Sequence, residues 1–303
     1  MKRYRDYNTY LREIFGERVQ KIPLDAGLSC PNRDGTLSSE GCIYCDARGS
    51  GTGAFSSRGE SIVDQIEHAK AFLVERYGAR KFIAYFQSFT NTYGPLEQLK
   101  ELYDAALSRP DMVGLSVATR PDCVDREKLR LLSSYRPDHL VWVEFGLQSS
   151  HDETLRLINR GHDSTCFKEA VRSAKACDLS VCAHIILGLP GETSAMMLET
   201  ARFLADLPID GIKIHSLYVL QGTVMGALFN SGRYEPMTRA RYVETVVEIL
   251  EVLPPGLVIQ RLTGDPPRTG LLSPLWTLEK QKNLNMIKNA LERENTWQGR
   301  LYR

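Results

Sequence analysis

The fold is decided by three consecutive stretches in the middle of the chain: HLVWVEFGL (residues 139–147), STCFKEAVRSAKAC (164–177) and SVCAHIIL (180–187). The first and third stretches are near-continuous runs of Val, Ile, Leu and aromatic residues, which are typical of strands buried on both faces of a parallel sheet. The second stretch has the apolar spacing of a helix. The unit therefore predicts a strand, a helix and a parallel strand in that order.

The same alternation extends along most of the chain. Short β-rich apolar runs predict seven strands, at residues 18–24, 81–87, 112–118, 139–147, 180–187, 211–217 and 257–261. Helical patterns fill the gaps at residues 61–77, 95–108, 125–134, 164–177, 194–207 and 238–252, with a final helix within 276–294. These units predict an α/β fold, a partial or closed parallel (β/α)6-type barrel. We expect the barrel core over residues 1–236, and a C-terminal helical extension with one strand, residues 237–303, packed on it.

The composition is that of an ordinary globular protein. The 303 residues are 43% hydrophobic with a formal net charge of +1, which allows a substantial core and gives no general signal for nucleic acid. No apolar run approaches the roughly 20 residues that span a bilayer, and the polar N-terminus has no signal-peptide apolar region behind it. We therefore expect a cytoplasmic protein with no membrane partner. The seven cysteines, an odd number, suggest reduced thiols rather than a disulfide framework.

Three of the cysteines lie on one turn-rich loop after the first predicted strand. Eleven residues separate Cys30 from Cys42, and two separate Cys42 from Cys45. A structural zinc site closes its tetrahedron with four ligands, but the next histidine, His68, falls inside a helical pattern. An iron–sulfur cubane normally takes four thiolates, so three would leave one iron open to a ligand from outside the protein. Zinc and inert thiols are the alternatives.

Polar residues also follow the other predicted strands, at the point where each strand ends. Because the carboxyl ends of parallel strands meet at one mouth of a barrel, we expect these residues to converge beside the cysteines. They are QSFTNT (87–92), TRPD (119–122), Glu144 with QS (148–149), and GLPGE (188–192).

With these motifs the chain resembles a radical S-adenosylmethionine (SAM) enzyme. The long gap after Cys30 departs from the common spacing and matches the branch related to the elongator catalytic subunit. Tyr44, VEFGLQS (143–149) followed by NRGH (159–162), and HIILGLPGE (184–192) also fit. The chain is similar to the YhcC/YtqA-like family, short proteins that resemble the radical SAM domain of the elongator catalytic subunit without its acetyltransferase domain. The resemblance covers nearly the whole chain.

The resemblance implies two cofactors, a [4Fe-4S] cluster and SAM. As catalytic and metal-binding residues, Cys30, Cys42 and Cys45 would hold the cluster, and the amino and carboxylate groups of SAM would bind the fourth iron. Reductive cleavage of SAM would give methionine and a 5′-deoxyadenosyl radical that abstracts hydrogen from an unactivated carbon. The protein would supply orientation and exclusion of water.

The resemblance also implies which residues contact SAM. Gln148 and Arg160 match positions that reach the ribose and the methionine carboxylate, and a guanidinium suits a carboxylate. The backbone at Ile186 and Gly188 would meet adenine, and Tyr44 would line the adenine edge.

At three places the chain departs from related enzymes. Ala118 and His184 stand where acidic residues are common, and QSFTN (87–91) replaces a Gly-Gly-Glu motif. We expect Gln87, Ser88 and His184 to share the contacts to the methionine amine and the ribose.

The last two predicted strands carry charged residues with two open interpretations. Lys213 and His215 alternate along the sixth strand and therefore point the same way. They either face a substrate or fill the barrel with salt-bridged side chains. Arg261 and Asp265, around the seventh strand, leave the same alternatives.

The N-terminal residues and the family resemblance both bear on the substrate. Residues 2–12 interleave bases, including Arg3, Arg5 and Arg12, with aromatics, and either contact RNA phosphates and bases near the barrel mouth or form a solvated helix face. Resemblance to the elongator branch implies tRNA as partner, a wobble-uridine side chain as substrate and a reducing electron-transfer protein as electron donor. The alternatives are a radical SAM enzyme acting on a small metabolite or peptide and, in another class, a non-catalytic iron–sulfur binding protein.

Overall fold

The computed structural model describes residues 2–49 and 60–303, and its centre is a curled sheet of seven parallel strands. In chain order the strands are β1 (Val19–Leu24), β2 (Lys81–Phe86), β3 (Met112–Thr119), β4 (Leu140–Gln148), β5 (Ser180–Leu187), β6 (Gly211–Ser216), β7 (Val219–Leu220), β8 (Val258–Arg261) and β9 (Leu271–Ser273). The sheet has the order β1-β2-β3-β4-β5-β6-β8, while β7 and β9 form a separate antiparallel pair. Within the described part of the chain β1 and β8 do not pair, so the predicted α/β barrel is a partial one.

Helices alternate with the strands. They are α1 (Tyr7–Phe15), α2 (Ile62–Tyr77), α3 (Leu96–Ala106), α4 (Arg126–Ser134), α5 (Asp152–Leu157), α6 (Ser164–Ala176), α7 (Ser194–Ala205), α8 (Val224–Asn230), α9 (Arg239–Val252) and α10 (Lys280–Arg293). Several begin at side chains that cap the first turn. Asp163, for example, accepts a hydrogen bond from the Cys166 amide at 2.8 Å.

Alternation along β4 separates the hydrophobic core from a polar interior. Val143, Phe145 and Leu147 are fully buried among apolar side chains of the main core, and the Phe145 ring meets Phe167 of α6 edge-on. The intervening residues, from Glu144 onward, face the concave side and line a cavity. The period of two along a strand thus places chemistry on one face and packing on the other.

The N-terminal segment closes the end of the barrel opposite the mouth. The rings of Tyr7 and Tyr10 stack on each other and both meet Trp142 edge-on, with centroids 6.1 and 5.8 Å from it. Trp142 lies near the start of β4, so this aromatic cluster marks the amino ends of the strands. Arg3 and Arg5 donate hydrogen bonds to acceptors within the chain. Contact of this segment with RNA near the mouth stays a prediction without support here, because packing uses its aromatic rings.

The C-terminal part is joined to the barrel through the sheet itself. β8 pairs with β6, and α9 and α10 contribute buried side chains such as Ile249 and Ile287 to the main core. The proposed boundary between residues 236 and 237 stays a prediction. In residues 2–49 and 60–303, every helix is too short or too polar to cross a membrane.

Candidate active site

A cavity opens at the carboxyl ends of the strands, at the mouth predicted from the sequence. It brings together most of the predicted site residues: Cys30, Cys42, Tyr44, Cys45, Gln87, Gln148, Arg160, His184 and Ile186. Ser88 does not line it and is buried, while Gly188 lines a neighbouring groove, where its carbonyl accepts a hydrogen bond from the Tyr234 hydroxyl at 2.6 Å. The SAM contacts assigned to Ser88 and Gly188 stay predictions without support from this cavity.

The cysteine loop is shaped by tight turns. The Cys45 amide donates to the Cys42 carbonyl at 2.9 Å, and the Arg33 amide donates to the Cys30 carbonyl at 2.8 Å. Between them, the Ile43 amide is bonded to the Ile158 carbonyl, which ties the loop to the segment after α5. These turns place the three predicted ligands on one side of the cavity.

Two side chains donate toward the sulfur of Cys42. Asn32 Nδ2 and Arg160 Nη1 each lie 3.6 Å from Cys42 Sγ, and Arg160 Nη2 donates to the Gly146 carbonyl at 2.7 Å. Burial alone lowers the pKa of Arg160, but Tyr44 and Cys42 raise it overall, so the guanidinium stays charged. A neighbouring cation favours the thiolate, which is the metal-binding form of cysteine. This donor set fits an anionic cluster held by thiolates.

Gly146 explains part of the VEFGLQS motif. A Cβ at this position would come within 2.6 Å of both Arg160 Nη2 and Gln148 Nε2. The register with β5 also shifts between Gly146 and Gln148, and Gln148 has a φ of 79°. A glycine and a bulge together let the two polar side chains reach the cavity, which is a use of bulges common near active sites.

Arg120 is a residue to which the sequence reading gave no role, although it belongs to the TRPD stretch. It is only 2% exposed, lines the cavity and binds Asp122 through two hydrogen bonds of 2.8 and 2.7 Å. Burial raises the pKa of Asp122, but Arg120 outweighs this and lowers it overall. Burial, with Arg160 and Arg120 nearby, lowers the pKa of His162 to about 3. The mouth therefore carries two buried guanidiniums, and the neutral His162 lies near them.

A second ionic group lies deeper, around the fully buried Glu144. Its Oε1 accepts from Lys21 Nζ and Ser116 Oγ, each at 2.6 Å, and its Oε2 accepts from His184 Nε2 at 2.7 Å and from Lys213 Nζ. Burial alone would raise the pKa of Glu144, but Lys21 and Lys213 hold it well below its ordinary value. Burial and Lys213 lower the pKa of His184 to about 4, so this ring is neutral.

The same region contains a group that resembles a metal site. One ligand atom each from Glu144, Cys182 and His184 lie within 4.8 Å of one another. Both Glu144 oxygens are already bonded to ammonium groups, and burial raises the pKa of the Cys182 thiol. We therefore interpret the group as a buried ion-pair network. Cys182 is fully buried, like a small apolar residue.

Two family models match the chain. The Radical SAM superfamily matches residues 35–204, and the Radical_SAM C-terminal domain matches residues 209–293. The first range includes Cys42 and Cys45, whereas Cys30 lies just before it.

Individual proteins agree with the family match. YtqA of Bacillus subtilis is 42% identical over 99% of this chain and 93% of its own length. YhcC of Escherichia coli K12 is 40% identical over 88% of this chain and 85% of its own length. A tRNA uridine(34) acetyltransferase of Dehalococcoides mccartyi is 29% identical over 57% of this chain and 38% of its own length.

A solved structure shows the same fold. The Elp3 of the archaeon Methanocaldococcus infernus, lacking its N-terminus, superposes with a TM-score of 0.67 over 92% of this chain and 64% of that chain, at 18% identity. The sheet, the cysteine-lined cavity and these matches lead to one conclusion. The chain belongs to the radical SAM superfamily, enzymes that use a [4Fe-4S] cluster and SAM, and within it to the YhcC/YtqA family, which is related to Elp3.

Proposed function

We propose that this radical SAM enzyme acts on tRNA, at the side chain of a wobble uridine. The observation that carries the proposal is the similarity, over 57% of this chain, to a protein named for its action on tRNA uridine 34. The charge of the cavity supports it. Arg33, Arg120 and Arg160 line the mouth, and RNA is the most strongly anionic class of substrate.

In this proposal Cys30, Cys42 and Cys45 hold the cluster. Cys30 and Cys45 are partly exposed and Cys42 is buried, so the cluster position would be reachable from the mouth. Bound there, the cluster and SAM supply one-electron cleavage of a carbon–sulfur bond and, from it, hydrogen abstraction. Electrons would come from a reducing electron-transfer protein.

The residues around the cysteines also fit SAM. Arg160 Nε and Arg120 Nη1 are buried and have no hydrogen-bond partner among residues 2–49 and 60–303, although both side chains line the cavity. Buried donors without partners are rare in folded proteins, and a carboxylate is the natural acceptor for a guanidinium. We therefore assign the SAM carboxylate to Arg160, with Gln148 toward the ribose and Tyr44 at the adenine edge.

The polar side chains behind them complete the assignment. Gln87 and His184 also line the cavity, and we assign them to the methionine amine and the ribose. The backbone at Ile186 faces adenine. These side chains orient SAM and, once it is bound, keep water from the reacting carbon.

Comparative nucleoside analysis of tRNA tests the proposal. Total tRNA from a strain that lacks the gene and from its parent would be digested to nucleosides and compared by mass spectrometry. We expect the parent's modified wobble uridine to decline and a precursor to accumulate. Unchanged levels of all modified uridines would exclude tRNA as the substrate.

A further inference from the structure

The inner end of the cavity has an excess of positive charge. Lys21 and Lys213 bond the carboxylate of Glu144, and Arg261 lies opposite Lys213 and lines the cavity; we call these four residues the inner basic cluster. Lys213 is only 4% exposed at its side chain. Enclosed charges need partners, because water screens them poorly.

Glu144 has no capacity left to neutralise Arg261. Each of its two oxygens already accepts two hydrogen bonds, from Lys21 and Ser116 at one and from His184 and Lys213 at the other. A carboxylate has about four lone-pair sites, and all of them are occupied here. Glu144 therefore offers no free acceptor to the remaining cation of the cluster, Arg261.

The Arg261 guanidinium has no hydrogen bond or ion pair with another residue of the described ranges. The carboxylate that follows it in the chain, Asp265, forms an ion pair with Lys280 at 2.8 Å. Arg261 lines the cavity, and so does His215, whose buried Nε2 has no hydrogen-bond partner among the described residues. The partly exposed Arg261 guanidinium and the buried Nε2 of His215 therefore face the same space without a partner among the described residues.

The strand pairing explains how Arg261 reaches the cavity. The register between β6 and β8 runs from Ile212 opposite Ile259 directly to Lys213 opposite Arg261, so Gln260 is the extra residue of a bulge. Without this bulge, Gln260 would stand opposite Lys213 and Arg261 would move to the apolar face. Bulges near active sites re-aim side chains in this way.

We propose that Arg261 and His215 form a binding site for an oxyanion on the substrate, a carboxylate or a similar ionised acid on the modified uridine side chain. The planar guanidinium offers two parallel donors to such a group. A backbone phosphate of RNA is attached to a sugar on each side and reaches an enclosed site less readily than the end of a side chain. The inference rests on the proposed function and specifies the chemistry of its substrate.

The charge of the accumulating nucleoside tests this directly. The uridine nucleoside that builds up in tRNA of the deletion strain should bind an anion-exchange resin at pH 7 after complete removal of phosphate. A neutral or cationic precursor would overturn the inference and leave the proposed function standing. If no uridine nucleoside changes at all, the proposed function fails and the oxyanion site fails with it.

Variants test the residues. The deletion strain complemented with Arg261→Gln should contain at least about tenfold more precursor than the same strain complemented with the parent gene. Arg261→Lys keeps the charge but lacks the two parallel donors of a guanidinium, so it should give an intermediate level. The purified Arg261→Gln protein should retain its iron, which shows that it folds. Arg268→Gln, an exposed position seven residues further on, is the matched control and should behave like the parent. Parent-like precursor levels in both Arg261 variants would refute the assignment.

Discussion

Replacing Glu144 by glutamine should destabilise the fold strongly, because the change removes a charge and leaves the shape intact. The Glu144 side chain is 0% exposed and bonds the ammonium groups of Lys21 and Lys213. Glutamine leaves both ammonium groups in the interior with no carboxylate. Removing one partner of a buried pair costs about 3–5 kcal/mol. This is a large share of the roughly 5–15 kcal/mol that stabilises a typical protein.

The loss of folding stability in Glu144→Gln should shrink as the pH rises. Burial lowers the pKa of Lys21 from its ordinary 10.5 to about 8, and without Glu144 this pKa falls further. A lysine whose pKa is lower in the folded state than in the unfolded state reduces stability at low pH, and this penalty disappears between the folded and unfolded pKa values. The variant should therefore recover stability relative to the parent between pH 7 and pH 9.5, as the buried ammonium groups release their protons.

Urea unfolding of the anaerobically purified proteins, followed by circular dichroism at both pH values, measures these effects. Glu244→Gln on α9 is the control, since Glu244 pairs with Arg241 at 3.4 Å between exposed side chains, a pair worth about 0–1 kcal/mol. A double variant that adds Lys213→Met should regain part of the loss, because it removes one of the uncompensated cations. If Glu144→Gln unfolds at the parent's urea concentration at pH 7, the ion-pair reasoning is wrong.

Three further outcomes follow from the geometry. Cys42→Ala should lose most of its iron after anaerobic reconstitution, and adding SAM should no longer change the electron paramagnetic resonance signal of the reduced protein. Cys177→Ala, which lies outside the cavity, should keep its iron and its response to SAM. Gly146→Ala should weaken SAM binding about tenfold or more in calorimetry with iron content unchanged, since its Cβ would displace two side chains that lie 2.6 Å away; parent-like affinity would contradict the SAM assignments. Changing Arg3 and Arg5 to glutamine should lower the melting temperature but leave the salt dependence of tRNA binding as it is, because both side chains bond within the chain; a flatter salt slope would restore the N-terminus as an RNA contact.

The sheet was largely predictable because its strands are buried on both faces. The predicted strand at residues 180–187 coincides with β5. The bounds of the other six predicted strands differ from those observed by at most one residue at each end. The elements that the sequence did not predict are short. Helices α5 and α8 span six and seven residues, and strands β7 and β9 span two and three. Such segments are too short for their hydrophobic periodicity to distinguish a helix from a strand or a loop.

The convergence of polar residues was predictable from topology, whereas the direction of individual side chains was not always so. Gln87 faces the cavity, and Ser88, its neighbour, is buried elsewhere, as expected where the chain is still extended after β2. The N-terminal segment shows a different limit. Its tyrosines suit stacking on bases and packing on Trp142 equally well, and only the position of α1 at the closed end of the barrel decides between them.

The balance of charge inside the barrel depends on contacts that no local pattern reports. Lys213 and His215 share a face by alternation, which the sequence predicts, but the charge of Lys213 is balanced by Glu144, two strands away. Arg261 belongs to a strand of four residues, and one bulge decides whether it lies in the cavity or in the core. Arg261 is partly exposed at the cavity, and its guanidinium has no carboxylate partner among the described residues. A cation kept there by a bulge is therefore better explained by a ligand that brings its own negative charge than by the needs of the fold.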